Sequence, residues 1–334
     1  MNNTTLILVN GFHIGDLFSL PEIVRAVCES NPLIQVEFAV YNSFYLFRNL
    51  APNLTIIPIN DHPLSKTIVD AIPGNILCVH PSENVYILNF AGLQHMPGIA
   101  GRQLECHYYN LYMAMGQLMN HVNGLWGTSF VLRPCLHPTS LIPRIPDTDC
   151  SLFETWRMEN QNKMCILYYN FMPRSGQQIG IHPMNHDNIV YQLCYRFPDA
   201  TILVPMFSQT MLANPIKPNN LLSCEESFGC NVSPDCSNLC KLAKMETQCD
   251  ISIHFDIGAC FYYASTLLYN ESRCTILHVS RDHFYYYRLR ENFGDSISEA
   301  EYSKKVHLLQ GSMNRNIFLN RITEEINGKH AWHS

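Results

Sequence analysis

Charge is scarce in this chain. Asp, Glu, Lys and Arg together supply only 15% of the 334 residues, and the formal net charge is -6. No run of Lys or Arg is long enough to make a nucleic-acid face, so no nucleic-acid partner is expected. Long apolar runs are missing too. No stretch approaches the roughly 20 residues of a membrane span, which leaves peripheral contact as the only membrane role expected. The N-terminus, Met1-Asn2-Asn3-Thr4-Thr5, carries no positive side chain, and the apolar run behind it is too short for a signal peptide. A cytoplasmic location is the expectation. Catalytic signatures are absent as well. Without G-x-S-x-G a nucleophile-elbow hydrolase has no support. Without a Walker A lysine or G-x-G-x-x-G, neither has a P-loop or a dinucleotide fold of the usual kind.

What is present is core. Apolar residues make up 47% of the chain, and its length suits two domains of ordinary size better than one. Fourteen cysteines are many for this length. Most lie in apolar segments, as Cys28, Cys78, Cys165, Cys194 and Cys260 do, where a free thiol behaves as a small hydrophobe. A reduced, intracellular protein follows. Cys224, Cys230, Cys236, Cys240 and Cys249 are spaced C-x5-C-x5-C-x3-C before the last of them, and only Cys236 and Cys240 have a spacing that suits zinc. They read as unpaired thiols. Asp147-Thr148-Asp149 is formally a D-x-D, which can hold a divalent cation. It lies in a linker with Pro134, Pro138, Pro143 and Pro146 and not behind a buried strand, so no metal is expected.

The chain is organised around Thr5 to Cys28. Leu6-Ile7-Leu8-Val9 is a continuous apolar run, the mark of a strand buried on both faces. Asn10 to Gly15 breaks it with two glycines, and Pro21 opens a helix with Ile23, Val24 and Val27 on one face. The loop between them belongs at the carboxyl edge of a parallel sheet, where α/β proteins place their ligands. It carries the ionisable pair His13 and Asp16. Strands follow at Val36–Val40 and Leu54–Ile59, with a helix between them over Ser43–Leu50, and shorter strands at Ile76–Val79 and Val85–Leu88. Residues 89–103 are Gly-rich, as a binding loop would be, and a long helix runs from Leu104 to Val122. Past the linker the pattern restarts. Strands are expected at Cys165–Tyr169, Ala200–Phe207, Ile251–Phe255 and Thr275–Val279, the last closing the series. Helices are expected at Asp187–Phe197, Pro234–Met245, Cys260–Tyr269 and Arg315–Ile326. The fold class is α/β, with two Rossmann-like β/α/β domains.

Two further places invite chemistry. At Asp256-Ile257-Gly258-Ala259 a strand turns into a helix, whose free N–H groups could receive a phosphate; an ordinary turn is the alternative. Arg174 and Ser175 lie in the loop after the first strand of the second half, where a cation could neutralise a leaving diphosphate, or simply face solvent. Among the many histidines His13 is singled out because it shares a loop with Asp16; His95, His107, His182, His186 and His254 lie in or near expected loops and sheet edges.

Gly15-Asp16-Leu17-Phe18-Ser19-Leu20-Pro21 resembles the G-D-x-x-x-x-P opening of the ADP-heptose:lipopolysaccharide heptosyltransferases, glycosyltransferase family 9. The segment from Glu105 to Gly116 looks like that family's H-x-x-x-x-x-x-x-x-x-G helix, with eight residues between His107 and Gly116 here. Asp250 to Ala259 is similar to its D-T-G-containing strand–turn–helix. Ile257 stands where the family has Thr, Phe261 where it commonly has His, and Arg174 substitutes for its Lys.

The resemblance implies a GT-B fold, two domains facing each other across a cleft, and an inverting transfer from a nucleotide-sugar to a glycan or glycolipid acceptor, with no cofactor or metal required. On it, Asp16 is the general base and His13 orients it or the acceptor. Arg174, Ser175, Asp256, Gly258 and Ala259 hold the donor diphosphate, and Gly15, His95, Arg102 and His107 face the acceptor. The expected domains are 1–150 on the acceptor side, including the linker, 151–311 for the nucleotide-sugar, and 312–334 as a terminal helix and tail. Two other readings compete. One is a nucleotide-sugar epimerase or hydrolase on the same architecture, for which Asp187 and Glu226 are the available acid and base. The other is a non-catalytic nucleotide- or glycan-binding scaffold.

Overall fold

The computed structural model describes residues 4–10, 20–41, 44–71, 78–90, 107–134, 148–170, 183–230, 237–255, 274–280, 300, 303–304, 306–310 and 315–333. The chain divides into two units, one built chiefly from Met1–Pro146 and the other chiefly from the residues after it.

The first unit starts with β1 (Thr5–Asn10), whose apolar run is buried on both faces. Helix α1 (Pro21–Ser30) has Pro in its first turn and buries Ile23, Val24, Val27 and Cys28. Strands β2 (Gln35–Val40) and β3 (Leu54–Pro58) follow, then α2 (Ser65–Ala71), β4 (Cys78–Ser82), β5 (Val85–Asn89) and α3 (His107–Trp126). The sheet order is β3-β2-β1-β5-β4. The first four strands are parallel, and β4 pairs antiparallel with β5 through a turn in which Asn84 takes φ 66°. Strand β1 is the point where the order reverses, with β2 on one side and β5 on the other. One face buries Ile7, Val9, Ala39 and Ile87 against Ile59 and Ile68; on β2, Phe38 packs edge-on against Phe47 and Phe90.

The second unit opens with α4 (Ser151–Glu159) and β6 (Cys165–Tyr168). Then come α5 (Pro183–Arg196), β7 (Thr201–Val204), α6 (Gln209–Ala213), β8 (Leu221–Ser223) and α7 (Cys224–Phe228). Helix α8 (Ser237–Glu246), β9 (Ile251–Phe255), β10 (Thr275–Ser280), β11 (Val306–Gln310) and α9 (Arg315–His333) complete it. The sheet is parallel throughout, in the order β11-β10-β9-β6-β7-β8. Counted from β6, that is the 3-2-1-4-5-6 order of doubly wound folds, with the switch point between β6 and β9. One face buries Ile166, Tyr168, Ile202, Val204, Ile251, Ile253 and Leu277 beneath α5 and α9. Arg196 ties those two helices together at its Nη1, which donates to Asn320 Oδ1 and Thr323 Oγ1, both at 2.9 Å. Both units are thus parallel-sheet, Rossmann-like α/β layers.

The likeness between the halves extends to single hydrogen bonds. Asn53, just before β3, donates its Nδ2 to the carbonyls of Cys28 (3.2 Å), Asn31 (3.0 Å) and Ile34 (3.0 Å), which lie where α1 turns into β2. Asn220, just before β8, donates to Cys194 (3.2 Å), Phe197 (3.0 Å) and Ala200 (2.9 Å), where α5 turns into β7. The carbonyls of the same two asparagines accept from Val36 N–H and Ile202 N–H. Each turn reads Cys-x-x-x-Pro, at Cys28–Pro32 and Cys194–Pro198.

Several local expectations are corrected. Ser43–Leu50 is not a helix in its described part. A single 3-10 turn spans Phe44–Phe47, and Asn49 at φ 58° closes it. The strand expected over Ala200–Phe207 ends at Val204, because Pro205 has no N–H for a ladder. Strand β10 does not close the series; β11 lies beyond it. The helix from Arg315 continues to His333. Helices α2, α4, α6 and α7 and strand β8 were not anticipated. Linker residues 135–147 and the helix expected at Cys260–Tyr269 lie outside the described residues.

Replacing Asn53 or Asn220 by Ala strips a donor from three carbonyls at once. Each change is expected to cost about 2 kcal/mol in urea unfolding. Asn220→Asp, of equal shape but with no donor, is expected to lose at least as much.

Candidate functional site

The residues singled out from the sequence at His13, Gly15, Asp16, His95, Arg102, Arg174, Ser175, Asp256, Gly258 and Ala259 lie outside the described residues. His107 is the first residue of α3. What the structure defines is the strand ends from which those segments leave.

In the first unit, buried Asn10 and Asn89 end β1 and β5, the two neighbouring strands at the switch point. Asn89 donates its Nδ2 to Ala71 O at 3.3 Å. In the second unit the corresponding edge carries Tyr168, the last residue of β6, and Tyr169 and Asn170 after it. Asn170 donates its Nδ2 to Met206 O at 2.8 Å, which fixes which way the amide lies. Its Oδ1 is buried and finds no partner among the described residues. A buried acceptor left without a donor costs about 1–3 kcal/mol.

Two polar clusters flank that point. On the side of β7, Tyr168 Oη lies 2.9 Å from His186 Nδ1 in the first turns of α5. Burial pushes the His186 imidazole down to about 4, so it is neutral, and holds the Tyr168 phenol well above its ordinary value, helped by the negative charge of Asp187. Ser208 donates its hydroxyl to Asp187 at 2.5 Å and accepts from Met211 N–H, so it caps α6 while anchoring the start of α5. On the other side, Glu246, the last residue of α8, is completely buried. Tyr169 donates its hydroxyl to Glu246 Oε2 at 3.0 Å, and His254 Nε2 meets Oε1. A carboxylate only accepts, so Nε2 carries the hydrogen. The Tyr169 and His254 rings are 4.3 Å apart.

The other candidate groups are structural. Asp149 accepts from Ser151 N–H at 2.9 Å at the start of α4, and that bond, with the serine hydroxyl, holds its carboxyl below the usual range. Every described cysteine is a free thiol. Burial pushes Cys28, Cys194 and Cys230 up to about 12, which makes them inert. Cys236 lies outside the described residues. Among the described residues no group of three or more His, Cys, Asp or Glu could hold a metal, and no helix is long and apolar enough to cross a membrane. Of the two carboxylates named for an epimerase, Asp187 stands at this edge, and Glu226 is exposed in the first turn of α7, where its N–H donates to Ser223.

Sequence alone marks no role for His186 or His254, nor for Asn170, Tyr169 or Glu246. One signal was there. In Ile251-Ser252-Ile253-His254-Phe255 polar and apolar residues alternate, which turns Ser252 and His254 to one face. In a strand with paired neighbours on both sides, a polar face calls for buried partners.

No protein-family model matches the chain, and no curated protein does. Among solved structures, a protein assigned as a UDP-N-acetylglucosamine 2-epimerase from Listeria monocytogenes is similar at 9% identity. It covers 99% of this chain and 97% of its own, with a TM-score of 0.42. The glycosyltransferase SnogD from Streptomyces nogalater is similar at 10% identity, with 98% and 95% covered and a TM-score of 0.36. HepE from Anabaena, solved in complex with UDP-glucose, is similar at 10% identity, with 98% and 100% covered and a TM-score of 0.33. Likenesses this distant carry no argument about activity.

The neutral His186 predicts how stability depends on pH. Its value is lowered in the folded state from 6.5 to about 4, so the unfolded chain takes up the proton first as pH falls. The stability it contributes is complete above pH 6.5 and is lost progressively between 6.5 and about 4, by at most about 3 kcal/mol. Unfolding free energies measured across that range should fall in the wild type and flatten in His186→Leu.

Proposed function

We propose that the chain is a GT-B glycosyltransferase, inverting and independent of metal, that moves a sugar from a nucleotide-sugar to a hydroxyl of a glycan or glycolipid. The observation that carries this reading is Asn170 Oδ1: a buried acceptor, its amide fixed by Met206, at the switch point of a doubly wound sheet. Ligands of such sheets bind outside the carboxyl ends at that point. An acceptor there suits an N–H of a base or an O–H of a ribose. The G-D-x-x-x-x-P stretch from Gly15 to Pro21 supports the choice of a transferase.

The chemistry follows from the residues named in the sequence. The acceptor hydroxyl attacks the anomeric carbon. A new C–O bond forms there as the bond to the diphosphate oxygen breaks, and the proton passes to Asp16, with His13 orienting the pair. Residues 1–150 would serve the acceptor through Gly15, His95, Arg102 and His107. Residues 151–311 would serve the donor, with Arg174, Ser175, Asp256, Gly258 and Ala259 holding the leaving nucleoside diphosphate, whose charge they stabilise as it develops. An epimerase or hydrolase of nucleotide-sugars is the second reading, with Asp187 at the same edge as its best-placed carboxylate.

Thermal unfolding against ADP, UDP, GDP, CMP and their sugar conjugates, with and without Mg²⁺, tests the proposal. One nucleotide family should raise the midpoint, by about 2.7 kcal/mol of stabilisation at 100 times its dissociation constant, and do so without metal. Asn170→Ala should weaken that nucleotide by about 10-fold or more. Asp16→Asn should bind the donor normally and lose at least about 100-fold in turnover. No shift with any nucleotide would reject the proposal.

A further inference from the structure

We infer that Glu246 is a positioning residue, whose carboxylate sets Tyr169 and His254 and through them the two strand ends from which the donor site is built; the inference rests on the nucleotide-sugar reading. Tyr169 follows β6 directly and precedes Asn170, and His254 precedes the last residue of β9. These are the two strands that flank the switch point, paired at Tyr168 and Ile253. One carboxylate at the end of α8 therefore reaches both of them.

Fold stability alone does not call for this group. Tyr169 N–H already donates to Ile253 O at 3.1 Å, so the backbones of the two strands are joined without it. Glu246, His254 and Tyr169 are 0%, 1% and 3% exposed. Taking a carboxylate so far from water costs several kcal/mol, and a well-packed apolar trio in the same space is commonly as stable or more so. The cluster also continues inward. Cys274 touches Ser252, and burial together with the negative charge of Glu246 holds the Cys274 thiol well above its ordinary value.

What the polar trio supplies is direction. An apolar side chain under α8 can settle in several rotamers. A tyrosine hydroxyl and an imidazole N–H bound to the two oxygens of one rigid carboxylate cannot, and a hydrogen bond to a charged group is roughly twice as strong as a neutral one. The orientation of the Tyr169 ring is thereby coupled to the chain at Asn170, whose Oδ1 is the acceptor proposed to receive the nucleotide. His254 is coupled in the same way to the end of β9.

Two variants test this against the wild type. Glu246→Gln keeps the shape but sets an NH₂ where one of the two donors must be accepted. The triple variant Tyr169→Phe/Glu246→Leu/His254→Phe replaces the cluster with apolar groups. Dissociation constants for UDP, ADP and GDP are read by calorimetry, and stability by urea unfolding. The expected result is that the triple variant keeps or exceeds the wild-type unfolding midpoint while both variants bind the nucleotide at least ten-fold more weakly. Unchanged affinity in the variants, with the wild type binding, overturns the inference and leaves the function standing. A triple variant that does not fold shows a structural cluster and also overturns it. If the wild type binds none of the three nucleotides, the functional reading fails and the inference falls with it.

Discussion

One side-chain amide decides how each half of this chain turns from the helix behind its first strand back into its sheet. The last carbonyls of an α-helix have no partner within the helix. In both units an asparagine at the head of the third strand supplies one hydrogen-bonding group to three carbonyls, spanning the helix end, the turn and the approach to the second strand. Its own carbonyl receives the second strand's N–H. The helix behind the first strand, the second strand and the third strand are thus held at one stagger. A parallel ladder slipped by a single residue would turn every apolar side chain to the wrong face. With the stagger fixed, Ile166, Ile202 and Ile251 stay on the face that α5 and α9 cover.

Much of this architecture was legible in the sequence, because buried parallel strands are written as apolar runs and helices as periodic ones. Leu6–Val9, Val36–Val40, Cys165–Tyr168 and Ile251–Phe255 form strands where those runs stand, and Pro21 opens α1. Several of the elements that escaped are very short. Strand β8 has three residues and helices α6 and α7 five each, too few for a period to declare itself. Apolar content also misled where backbone chemistry ruled, as at Pro205 beyond β7 and Asn49 after Phe47. The clamps were invisible for a different reason. An asparagine before a strand reads as a turn residue, and which carbonyls its amide reaches depends on contacts 19 to 26 residues away.

The strand ends that border the proposed site were legible in the sequence, and the polar contacts behind them were not. Strand order puts the ends of β1, β5, β6 and β9 at carboxyl edges, and the residues expected from sequence to carry chemistry follow those four strands. The polar clusters behind them rest on residues whose local context argues against burial. A glutamate at the end of a helix ordinarily faces solvent, and a histidine beside an aspartate in a Gly- and Pro-flanked segment ordinarily belongs to a loop. Glu246 and His186 are buried because the sheet brings Tyr169 with His254, and Tyr168, to meet them. Only the alternation of Ser252 and His254 within β9 carried a local trace.

The scarcity of charge sharpens the point. With so few ionisable residues, nearly every described carboxylate could remain in water, yet Glu22, Asp187 and Glu246 are buried. Glu22 stands in the first turn of α1 beside Arg25, and Asp187 near the start of α5, the helix that occupies the same place in the second unit. Both lie where a helix begins behind the first strand of its sheet, with the positive end of the helix dipole to stabilise them. Glu246 has no such support and depends on two side-chain donors instead. Burial of this kind is unfavourable unless hydrogen bonds and dipoles offset it. In each case they do so beside a strand end where doubly wound sheets take their ligands, which gives the buried carboxylates among the described residues a location that packing alone does not explain.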